Sequence, residues 1–409
     1  MNKILSVLLF SAAAATASDW PQWRGPSRDG AVSSKDSTWP ATVTKDNLKL
    51  RWSVDLAEGY SSPIVSGDRV FTVETKAKKD EIVRAFSRKD GKQLWETSWP
   101  GSMRVPFYAA KNGSWVRCTP ATDGKSLFVG GMRDVLASID VKTGKVNWRK
   151  DYPAEEKTPL PSFGFVSSPL LDSDNIYVQV GTSLRKIRKS DGKTLWQALG
   201  DERAMFGSAF SSPSRAKIGG VDQILVQTRS LLGGILPDSG KALWTTEVKA
   251  FRGMNILPPT AIGDQVFTAT YGGGSFLFDV AKKDKTLVAT QRWNDGKREG
   301  YMSSPVVIDG KVYLHGRDKR FHCLDPKTGK TLWSSDKKYG EYCSLVTQGK
   351  RILALDQRGI LLLIEADPAE FRVISEMNLG TPPAWAHLAV CGDELYVRHL
   401  KGLQCYQWK

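Results

Sequence analysis

The hydrophobic and polar positions of the chain follow a pattern that recurs along almost its whole length. Each copy reads Ser-Ser-Pro, a short apolar strand, an Asp/Gly turn, two further strands, and then x-x-Gly-Lys-x-x-Trp. The clearest copies occupy residues 61–95, 118–148, 167–196, 211–244 and 303–333, and weaker copies occupy residues 257–293, 343–379 and 387–408. Short runs of apolar and polar alternation between turn residues predict β-strands.

The spacing of the copies is that of propeller blades. Equivalent positions, 40 to 57 residues apart, are Pro63, Pro120, Pro169, Pro213, Pro259, Pro305, Leu345 and Leu388. Propeller blades repeat about every 40 to 50 residues. Turns such as Asp309-Gly310 and Asp90-Gly91 supply the backbone that tight hairpins need, so each copy is predicted to be a four-stranded antiparallel meander. A lone meander cannot bury both of its faces, and successive blades must therefore stack around an axis.

The last copy, residues 387–408, contains only three strands. Residues 48–56 match the missing closing strand. We therefore predict an all-β, eight-bladed propeller of four-stranded antiparallel blades, in which an N-terminal strand completes the C-terminal blade and removes the open edges. The tryptophans that end the copies are expected to be wedges between the outer strands of adjacent blades. They are Trp52, Trp95, Trp148, Trp196, Trp244 and Trp333.

The first residues have the pattern of a secretory signal peptide. Lys3 precedes the apolar residues 4–10, and the small residues that follow end in Ala15-Thr16-Ala17, which predicts cleavage after Ala17. We expect a signal peptide at residues 1–17, an N-terminal cap at residues 18–47 and the propeller at residues 48–409. No later stretch has the run of about 18 apolar residues that a membrane span requires. The mature protein is therefore predicted to be periplasmic or secreted, without a lipid-anchoring cysteine, and monomeric.

The net charge indicates the kind of partner to expect, and the cysteines indicate whether disulfides are expected. The formal net charge of +15 favours acidic partners or anionic surfaces. Nucleic acid is not predicted as a partner, because the chain has an export signal and no recognisable nucleic-acid-binding motif. The five cysteines are isolated from one another, and their odd number predicts at least one free thiol. They are Cys118, Cys323, Cys343, Cys391 and Cys405.

Two kinds of motif resemble a known family. Residues 138–148 and 323–333 follow the pattern x-x-Asp-x-x-Thr-Gly-Lys-x-x-Trp, which is similar to the tryptophan-docking motif of quinoprotein (PQQ-like) propellers. Residues 19–30, DWPQWRGPSRDG, resemble the start of exported PQQ-like repeat proteins of planctomycete-type bacteria. The resemblance covers nearly the whole mature chain and implies the propeller fold. It implies less about function, because the fold serves quinone-dependent dehydrogenases as well as non-catalytic scaffolds such as the lipoprotein of outer-membrane β-barrel assembly.

The chemistry that the dehydrogenases of this family imply has little support in the sequence. They are expected to show adjacent cysteines over the quinone, a Glu/Asn/Asp set for calcium and an aspartate base, but no two cysteines are adjacent here. The four histidines have no metal-ligand spacing. Residues 172–175 fit a turn better than a calcium loop, and residues 271–275 lack the Lys-Ser/Thr of a phosphate-binding loop. No catalytic, cofactor-binding or metal-binding residue is predicted.

What remains is a surface rich in arginine and aromatic residues. In a propeller, the loops that lead into each first strand and the hairpins that join the second and third strands lie on the same face. Such a face would pair with carboxylates or phosphates and stack planar groups. Its predicted members are Tyr60, Arg104, Trp115, Arg117, Arg133, Phe165, Arg203, Arg252, Tyr301, Arg317, Arg358 and Trp385. The alternative is that the aromatic side chains fill the central channel and the arginines are solvated or paired internally.

Two functions are therefore compared below. The first is a non-catalytic exported scaffold without a cofactor, whose arginine- and aromatic-rich face binds an acidic protein segment, an anionic polysaccharide or another envelope component. The second is an alcohol or sugar dehydrogenase that depends on PQQ and Ca²⁺. The repeat itself motivates the second, and the missing adjacent cysteines speak against it.

Overall fold

The computed structural model describes residues 19–35, 37–201 and 209–408. Within these ranges the chain forms eight four-stranded antiparallel sheets, which are the blades of a propeller. The fold predicted from the repeats is thereby confirmed. The predicted signal peptide, residues 1–17, and the predicted face residue Arg203 lie outside the described ranges.

The first strand, β1 (Leu48–Asp55), precedes the first blade and belongs to the last one. Blade 1 contains β2 (Ile64–Ser66), β3 (Arg69–Lys76), β4 (Asp80–Ser87) and β5 (Gln93–Pro100). Blade 2 contains β6 (Ala121–Thr122), β7 (Ser126–Gly131), β8 (Val135–Asp140) and β9 (Val146–Asp151). Blade 3 contains β10 (Leu170–Leu171), β11 (Asn175–Val180), β12 (Ser183–Arg188) and β13 (Thr194–Ala198). Blade 4 contains β14 (Ser214–Ile218), β15 (Val221–Gln227), β16 (Leu231–Ile235) and β17 (Ala242–Glu247).

The second half of the ring repeats this arrangement. Blade 5 contains β18 (Thr260–Ile262), β19 (Gln265–Thr270), β20 (Gly274–Lys283) and β21 (Thr286–Asp295). Blade 6 contains β22 (Val306–Ile308), β23 (Lys311–His315), β24 (Phe321–Leu324) and β25 (Thr331–Ser334). Blade 7 contains β26 (Cys343–Gln348), β27 (Arg351–Asp356), β28 (Ile360–Glu365) and β29 (Arg372–Asn378). Blade 8 contains β30 (Ala389–Cys391), β31 (Glu394–His399), β32 (Gly402–Trp408) and β1.

Short helices lie in the loops between blades. They are a 3-10 helix at Phe107–Asn112, the helix α1 (Tyr152–Glu156) and a 3-10 helix at Phe251–Gly253. The side chain of Asp151 caps α1 by accepting a hydrogen bond from the backbone N–H of Ala154.

Burial changes from the second strand of a blade to the fourth. In blade 7, five of the six residues of β27 are buried, whereas the residues of β29 are half-buried or exposed. The middle strands are covered on both faces by the neighbouring blades, which explains their nearly continuous apolar runs. The fourth strand forms the outer edge of the propeller and alternates between core and solvent.

Tryptophans of the outer strands pack on glycines of the following blade. Each such glycine lies in the turn between the third and fourth strands and has a φ of 72–74°. A Cβ at any of these glycines would lie 2.7–2.9 Å from the indole ring. The indole N–H donates to the carbonyl three residues before the glycine, at 2.7–3.0 Å. The pairs are Trp52 with Gly91, Trp95 with Gly144, Trp148 with Gly192, Trp196 with Gly240, and Trp293 with Gly329.

Trp244 packs against blade 5 as a predicted wedge but has no glycine to dock on, and Trp293 docks on a glycine although it was not predicted as a wedge. Trp293 was not among the predicted wedges because its own copy has lost the Gly-Lys turn, but the glycine on which it packs belongs to the next copy. Trp244 precedes blade 5, whose corresponding turn, residues 284–285, contains no glycine. Its indole N–H donates instead to Gln223 Oε1 of its own blade at 2.8 Å.

The boundary between blades 6 and 7 keeps the tryptophan hydrogen bond without a glycine. The turn of blade 7 between β28 and β29 has no glycine, yet the indole N–H of Trp333 still donates to the carbonyl of Asp367 in that turn at 2.8 Å. Phe371 packs beside it, with ring centroids 5.3 Å apart.

The N-terminal segment fills the boundary between blades 7 and 8, where blade 7 has no tryptophan on its outer strand. Trp39 contacts Trp408 edge to face, with ring centroids 6.2 Å apart, and its backbone N–H donates to Gln348 Oε1 at 2.7 Å. The backbone N–H of Val43 donates to Ser375 Oγ of β29 at 2.8 Å. Both side chains are buried in the core cluster shared by the two blades.

The ring closes between the two ends of the propeller, as predicted. Strand β1 pairs antiparallel with β32, with Leu48 opposite Trp408 and Trp52 opposite Cys405. Glu394 of blade 8 accepts ion pairs from Arg51 and, at 2.6 Å, from Arg88 of blade 1. Backbone pairing and a half-buried charge network therefore fasten the last blade to the first.

Replacing Gly144 by Ala is expected to destabilise the protein by about 3 kcal/mol, because the left-handed backbone is strained and the new Cβ would collide with Trp95. Gly310→Ala is the matched control. Its φ is 70°, but nothing lies within 4 Å of a Cβ there, so only the backbone cost of about 1–2 kcal/mol is expected. Urea denaturation measures both losses. Equal losses in the two variants would contradict the docking of Trp95 on Gly144.

Replacing Trp52 by Ala is expected to cost about 3–5 kcal/mol, since the side chain is buried at the closure of the ring. Leu50→Ala on the same strand is the control, because Leu50 is 51 % exposed and its loss should change stability by no more than about 0.5 kcal/mol. The free energy of unfolding distinguishes the two variants. A Trp52→Ala variant as stable as Leu50→Ala would exclude Trp52 from the closure.

Candidate binding face

Aromatic residues from four blades meet at one end of the central channel, which we call the loop face. This face carries the loops that lead into each first strand and the hairpins between second and third strands. The Tyr60 ring lies 5.4 Å from Trp115 and 5.8 Å from Trp385. Trp385 stacks on Tyr342, with centroids 6.0 Å apart and planes inclined by 17°. Each of these four rings precedes the innermost strand of its blade, so together they line the half of the channel mouth formed by blades 7, 8, 1 and 2. We call them the central aromatic cluster.

Arg117 is held against this cluster. Its guanidinium carbon lies 5.5 Å from the centre of the Tyr60 ring, and Nη2 donates to the carbonyl of Gly113 at 2.7 Å. Burial lowers the pKa of Arg117 and raises the pKa of Tyr60 to about 12. Tyr60 is therefore neutral near pH 7, and a guanidinium group lies beside the aromatic faces of the cluster.

A second group of rings lies between blades 5 and 6. The guanidinium carbon of Arg317 lies 3.9 Å above the Tyr271 ring, and its nitrogens bind Glu299 at 2.7 Å and the Tyr271 hydroxyl at 2.9 Å. Tyr301 contacts the same tyrosine, with centroids 5.6 Å apart. The charge of Arg317 is therefore largely balanced within the protein.

A third group joins the loops of blades 3 and 4. Phe163 and Phe210 pack with centroids 5.1 Å apart, and the guanidinium carbon of Arg229 lies 4.5 Å from the Phe210 ring. Burial lowers the pKa of Arg229 to about 10. Tyr108 continues this group towards Phe107, which is 89 % exposed.

The predicted face residues divide into three sets by their surroundings. Arg104, Arg133 and Arg252 are exposed. Tyr60, Trp115, Arg117, Tyr301 and Trp385 are half-buried in the ring contacts described above. Arg317 and Arg358 are ion-paired, the latter with the buried carboxylate of Asp356.

Phe165 does not lie on the surface of the loop face. It is 2 % exposed and packs with Cys118 and Phe128 in the core between blades 2 and 3. A Cβ at Gly130 would lie 2.6 Å from its ring. Its place in a leading loop suggested exposure, but the glycine opposite leaves space for the ring to turn inward.

Some residues of the face had no signal in the repeat pattern. Tyr271 begins the glycine-rich residues 271–275, which form the hairpin of blade 5, and Phe251 contacts it, with centroids 5.5 Å apart. Phe107 and Tyr108 lie in a 3-10 helix inserted between blades 1 and 2. The long spacing between the first two copies was the one available sign of an insertion there.

Two buried carboxyl groups support the hairpins of the loop face. Glu81 accepts hydrogen bonds from Trp99 Nε1 at 2.8 Å and from the backbone N–H of Met132 in blade 2 at 2.6 Å. Asp134 accepts from the backbone N–H of Gly181 in blade 3 at 2.8 Å. Burial raises the pKa of each carboxyl group to about 7, against the opposing effect of these hydrogen bonds.

The opposite end of the channel, which we call the turn face, is crossed by residues 19–32. Trp20 pairs with Val65 of blade 1, and the carbonyl of Pro21 accepts from the backbone N–H of Thr122 in blade 2 at 2.8 Å. Further along, Ala31 bridges to Thr347 of blade 7. The segment therefore runs across the turn face. It contacts the ends of the first strands, where the turns to the second strands begin.

The cysteines and histidines offer no catalytic arrangement in the described residues. All five cysteines are free and buried. Burial lowers the pKa of His315 to about 4 and that of His387 to about 3, so both are neutral at neutral pH. The described part of the chain contains no group of three or more His, Cys, Asp or Glu side chains that could hold a metal ion.

Comparison with known proteins identifies the family. The sequence model of the family described as outer membrane protein assembly factor BamB matches residues 41–110 and 79–335, well over half of the chain. The chain belongs to the BamB family. It is 23 % identical over 373 residues to the BamB of Yersinia pestis, and 20 % identical over 374 residues to that of Shewanella oneidensis. The first alignment covers 86 % of each chain and the second 87 % of each.

Solved structures share the fold of this BamB-family chain at low sequence identity. BamB from Moraxella catarrhalis superposes with a TM-score of 0.63 at 16 % identity, covering 88 % of this chain and 98 % of that one. The quinohemoprotein alcohol dehydrogenase of Comamonas testosteroni gives 0.62 at 13 % identity, covering 97 % of this chain and 81 % of that one. A polyvinylalcohol dehydrogenase of Sphingopyxis is 25 % identical over 202 residues, which are 46 % of this chain and 29 % of the enzyme.

In the described residues, no helix is long and apolar enough to span a membrane.

Raising the pH from about 5 to about 8 is expected to lower the free energy of unfolding more in the native protein than in the Glu81→Gln/Asp134→Asn double variant. The folded pKa of each acid lies above its unfolded value, so the folded chain retains protons that the unfolded chain loses. The resulting stabilisation is complete below about pH 4 and is lost as the pH rises through about 7.

Urea denaturation at several pH values measures this slope. The amides change the hydrogen bonds to Trp99, Met132 and Gly181, so the absolute stability of the variant can fall. The comparison uses the slope of the free energy of unfolding against pH. Identical slopes in the native protein and the variant would show that these two carboxyl groups do not cause the pH dependence.

Proposed function

We propose that this protein is an exported, non-catalytic scaffold that takes part in the assembly of outer-membrane proteins. The support is its membership of a family whose curated relatives from Yersinia pestis and Shewanella oneidensis bear that description and align over most of their length. The predicted signal peptide agrees with a periplasmic or secreted location. The three parts predicted from the sequence, residues 1–17, 18–47 and 48–409, are retained in this proposal.

The loop face is the proposed binding surface, and the central aromatic cluster is the observation that carries the proposal. Rings from four blades pack along half of the channel mouth with one partly buried arginine, so large rigid contact area is available at little cost in side-chain entropy. The exposed side chains of Arg104, Arg133 and Arg252 and the 89 % exposed Phe107 extend this surface outward.

An acidic, partly apolar protein segment fits this surface best. The three exposed arginines form no ion pair within the described chain, whereas Arg317 and Arg358 already have carboxylate partners. Free arginines at a rim steer anionic partners and supply forked hydrogen bonds to carboxylates. An anionic polysaccharide or another envelope component remains the second class of partner that the same charges would attract.

A PQQ- and calcium-dependent dehydrogenase fits the structure less well. The shared fold with the alcohol dehydrogenase carries no information about chemistry at 13 % identity. Calcium needs six to eight oxygen ligands, largely from carboxylates and carbonyls, and the described residues contain no cluster of three candidate side chains. The described side chains therefore offer no acidic cluster for the calcium ion on which such a dehydrogenase depends.

Reversing three charges of the loop face tests the proposal. Deleting the gene in its host is expected to reduce the amount of folded outer-membrane proteins, and the native gene should restore it. The variant Arg104→Glu/Arg133→Glu/Arg252→Glu should restore it only in part, because the rim would repel an acidic partner. The readout is heat-modifiable mobility of outer-membrane proteins on gels.

The matched control reverses three exposed lysines of the turn face, Lys92→Glu/Lys145→Glu/Lys241→Glu, and so changes the net charge equally. This variant should restore assembly as well as the native gene. If both triple variants restore it fully, the loop face is not the binding surface. If deletion leaves outer-membrane proteins unchanged, the scaffold function itself is wrong.

A further inference from the structure

The segment that crosses the turn face directs two arginines into the channel. Arg24 and Arg28 are 3 % and 4 % exposed. Their φ angles are 63° and 58°, in the left-handed region that costs free energy for residues other than glycine. The fold thus maintains a strained backbone at both positions that carry the buried guanidinium groups.

The two guanidinium groups reach opposite sides of the channel. Arg24 Nη2 donates to the carbonyl of Pro305 in blade 6 at 2.5 Å. Arg28 donates to the carbonyls of Pro169 at 2.6 Å and Ser168 at 3.0 Å, both in blade 3. The Trp23 ring lies near both groups, with its centre 5.7 Å from the guanidinium carbon of Arg24 and 5.5 Å from that of Arg28.

No carboxylate in the described chain balances these two charges by an ion pair. Asp29 lies close enough to raise the pKa of Arg24, but its carboxylate accepts the backbone N–H of Ala31. Burial dominates and lowers the pKa of Arg24 to about 10 and that of Arg28 to about 9. The Nε–H of each arginine is buried without a hydrogen-bond partner. Buried cations and buried donors are costly unless they are paired.

A cavity of about 250 Å³ adjoins both arginines. Its lining includes Trp23, Ser27 and Asp29 from the N-terminal segment, and Ser214, Pro259 and Pro305 from blades 4 to 6. A single water needs only about 10–15 Å³ of such space. The cavity is therefore large enough for a small molecule and combines polar groups with apolar walls, as ligand sites commonly do.

We propose that this cavity binds a small oxyanion, a phosphate or carboxylate group, between Arg24 and Arg28 and beside the Trp23 ring. The anion would supply the missing negative charge beside the two guanidinium groups. Guanidinium groups match both oxyanions with forked hydrogen bonds. The site is reached beside the segment that crosses the turn face, whereas the proposed protein-binding surface is on the loop face.

The test measures the melting temperature of the full mature protein at constant ionic strength, with sodium chloride, inorganic phosphate or succinate. Phosphate or succinate should raise the melting temperature with a saturating dependence on concentration, because a ligand that binds only the folded state stabilises it. Isothermal titration calorimetry of the same anion should give one site per chain. Binding of phosphate would identify the ligand group as a phosphate, and binding of succinate would identify it as a carboxylate.

Two serine variants locate the effect. Ser27→Glu places a carboxylate on an exposed residue that lines the cavity, and it should weaken binding of the added anion about tenfold or more by occupying the cations. Ser34→Glu carries the same charge on an exposed residue of the same segment outside the cavity lining, and it should bind as the native protein does. No stabilisation of the native protein by either anion, or equal stabilisation of both variants, would overturn the proposal.

Discussion

The boundary between two blades depends on a flat indole ring that meets a backbone without a side chain. The ring comes from one repeat and the glycine from the next, so neither repeat contains the complete contact. At two boundaries the change on one blade is accompanied by a change on its neighbour. Blade 5 has no glycine in its turn, and Trp244 of blade 4 turns its N–H to its own blade. Blade 8 has no such turn at all, since its fourth strand is β1, and blade 7 is the one that lacks the tryptophan.

Between blades 7 and 8, where the tryptophan and the glycine turn are both absent, the N-terminal segment takes their place. Trp39 and Val43 pack between blades 7 and 8 and bond to β26 and β29. The same segment spans the turn face from blade 1 to blade 7. Its role is therefore partly that of a structural filler, and the two faces of the propeller differ because only the turn face is covered by it.

The sequence predicted the fold well because a local sequence pattern, repeated along the chain, encodes each blade. Turn residues, strand alternation and the spacing of copies were sufficient for the blade number and for the pairing of β1 with the last blade. The face residues were harder to predict, since their contacts join loops from different blades. Phe165 turned inward because of the space left by Gly130, and Arg317 found a partner in Glu299, which lies in another loop. Neither contact produces a recognisable pattern in the repeated sequence.

The composite last blade constrains the order in which the protein can form. Strand β1 is synthesised before blades 1 to 7, whereas the residues of its partner β32 follow those seven blades in the chain. Until those residues arrive, both ends of the incomplete ring expose unpaired strand edges, which are prone to associate with other chains. Contacts over such a sequence distance also form slowly. We therefore expect the unclosed ring to be the folding species most in need of a chaperone.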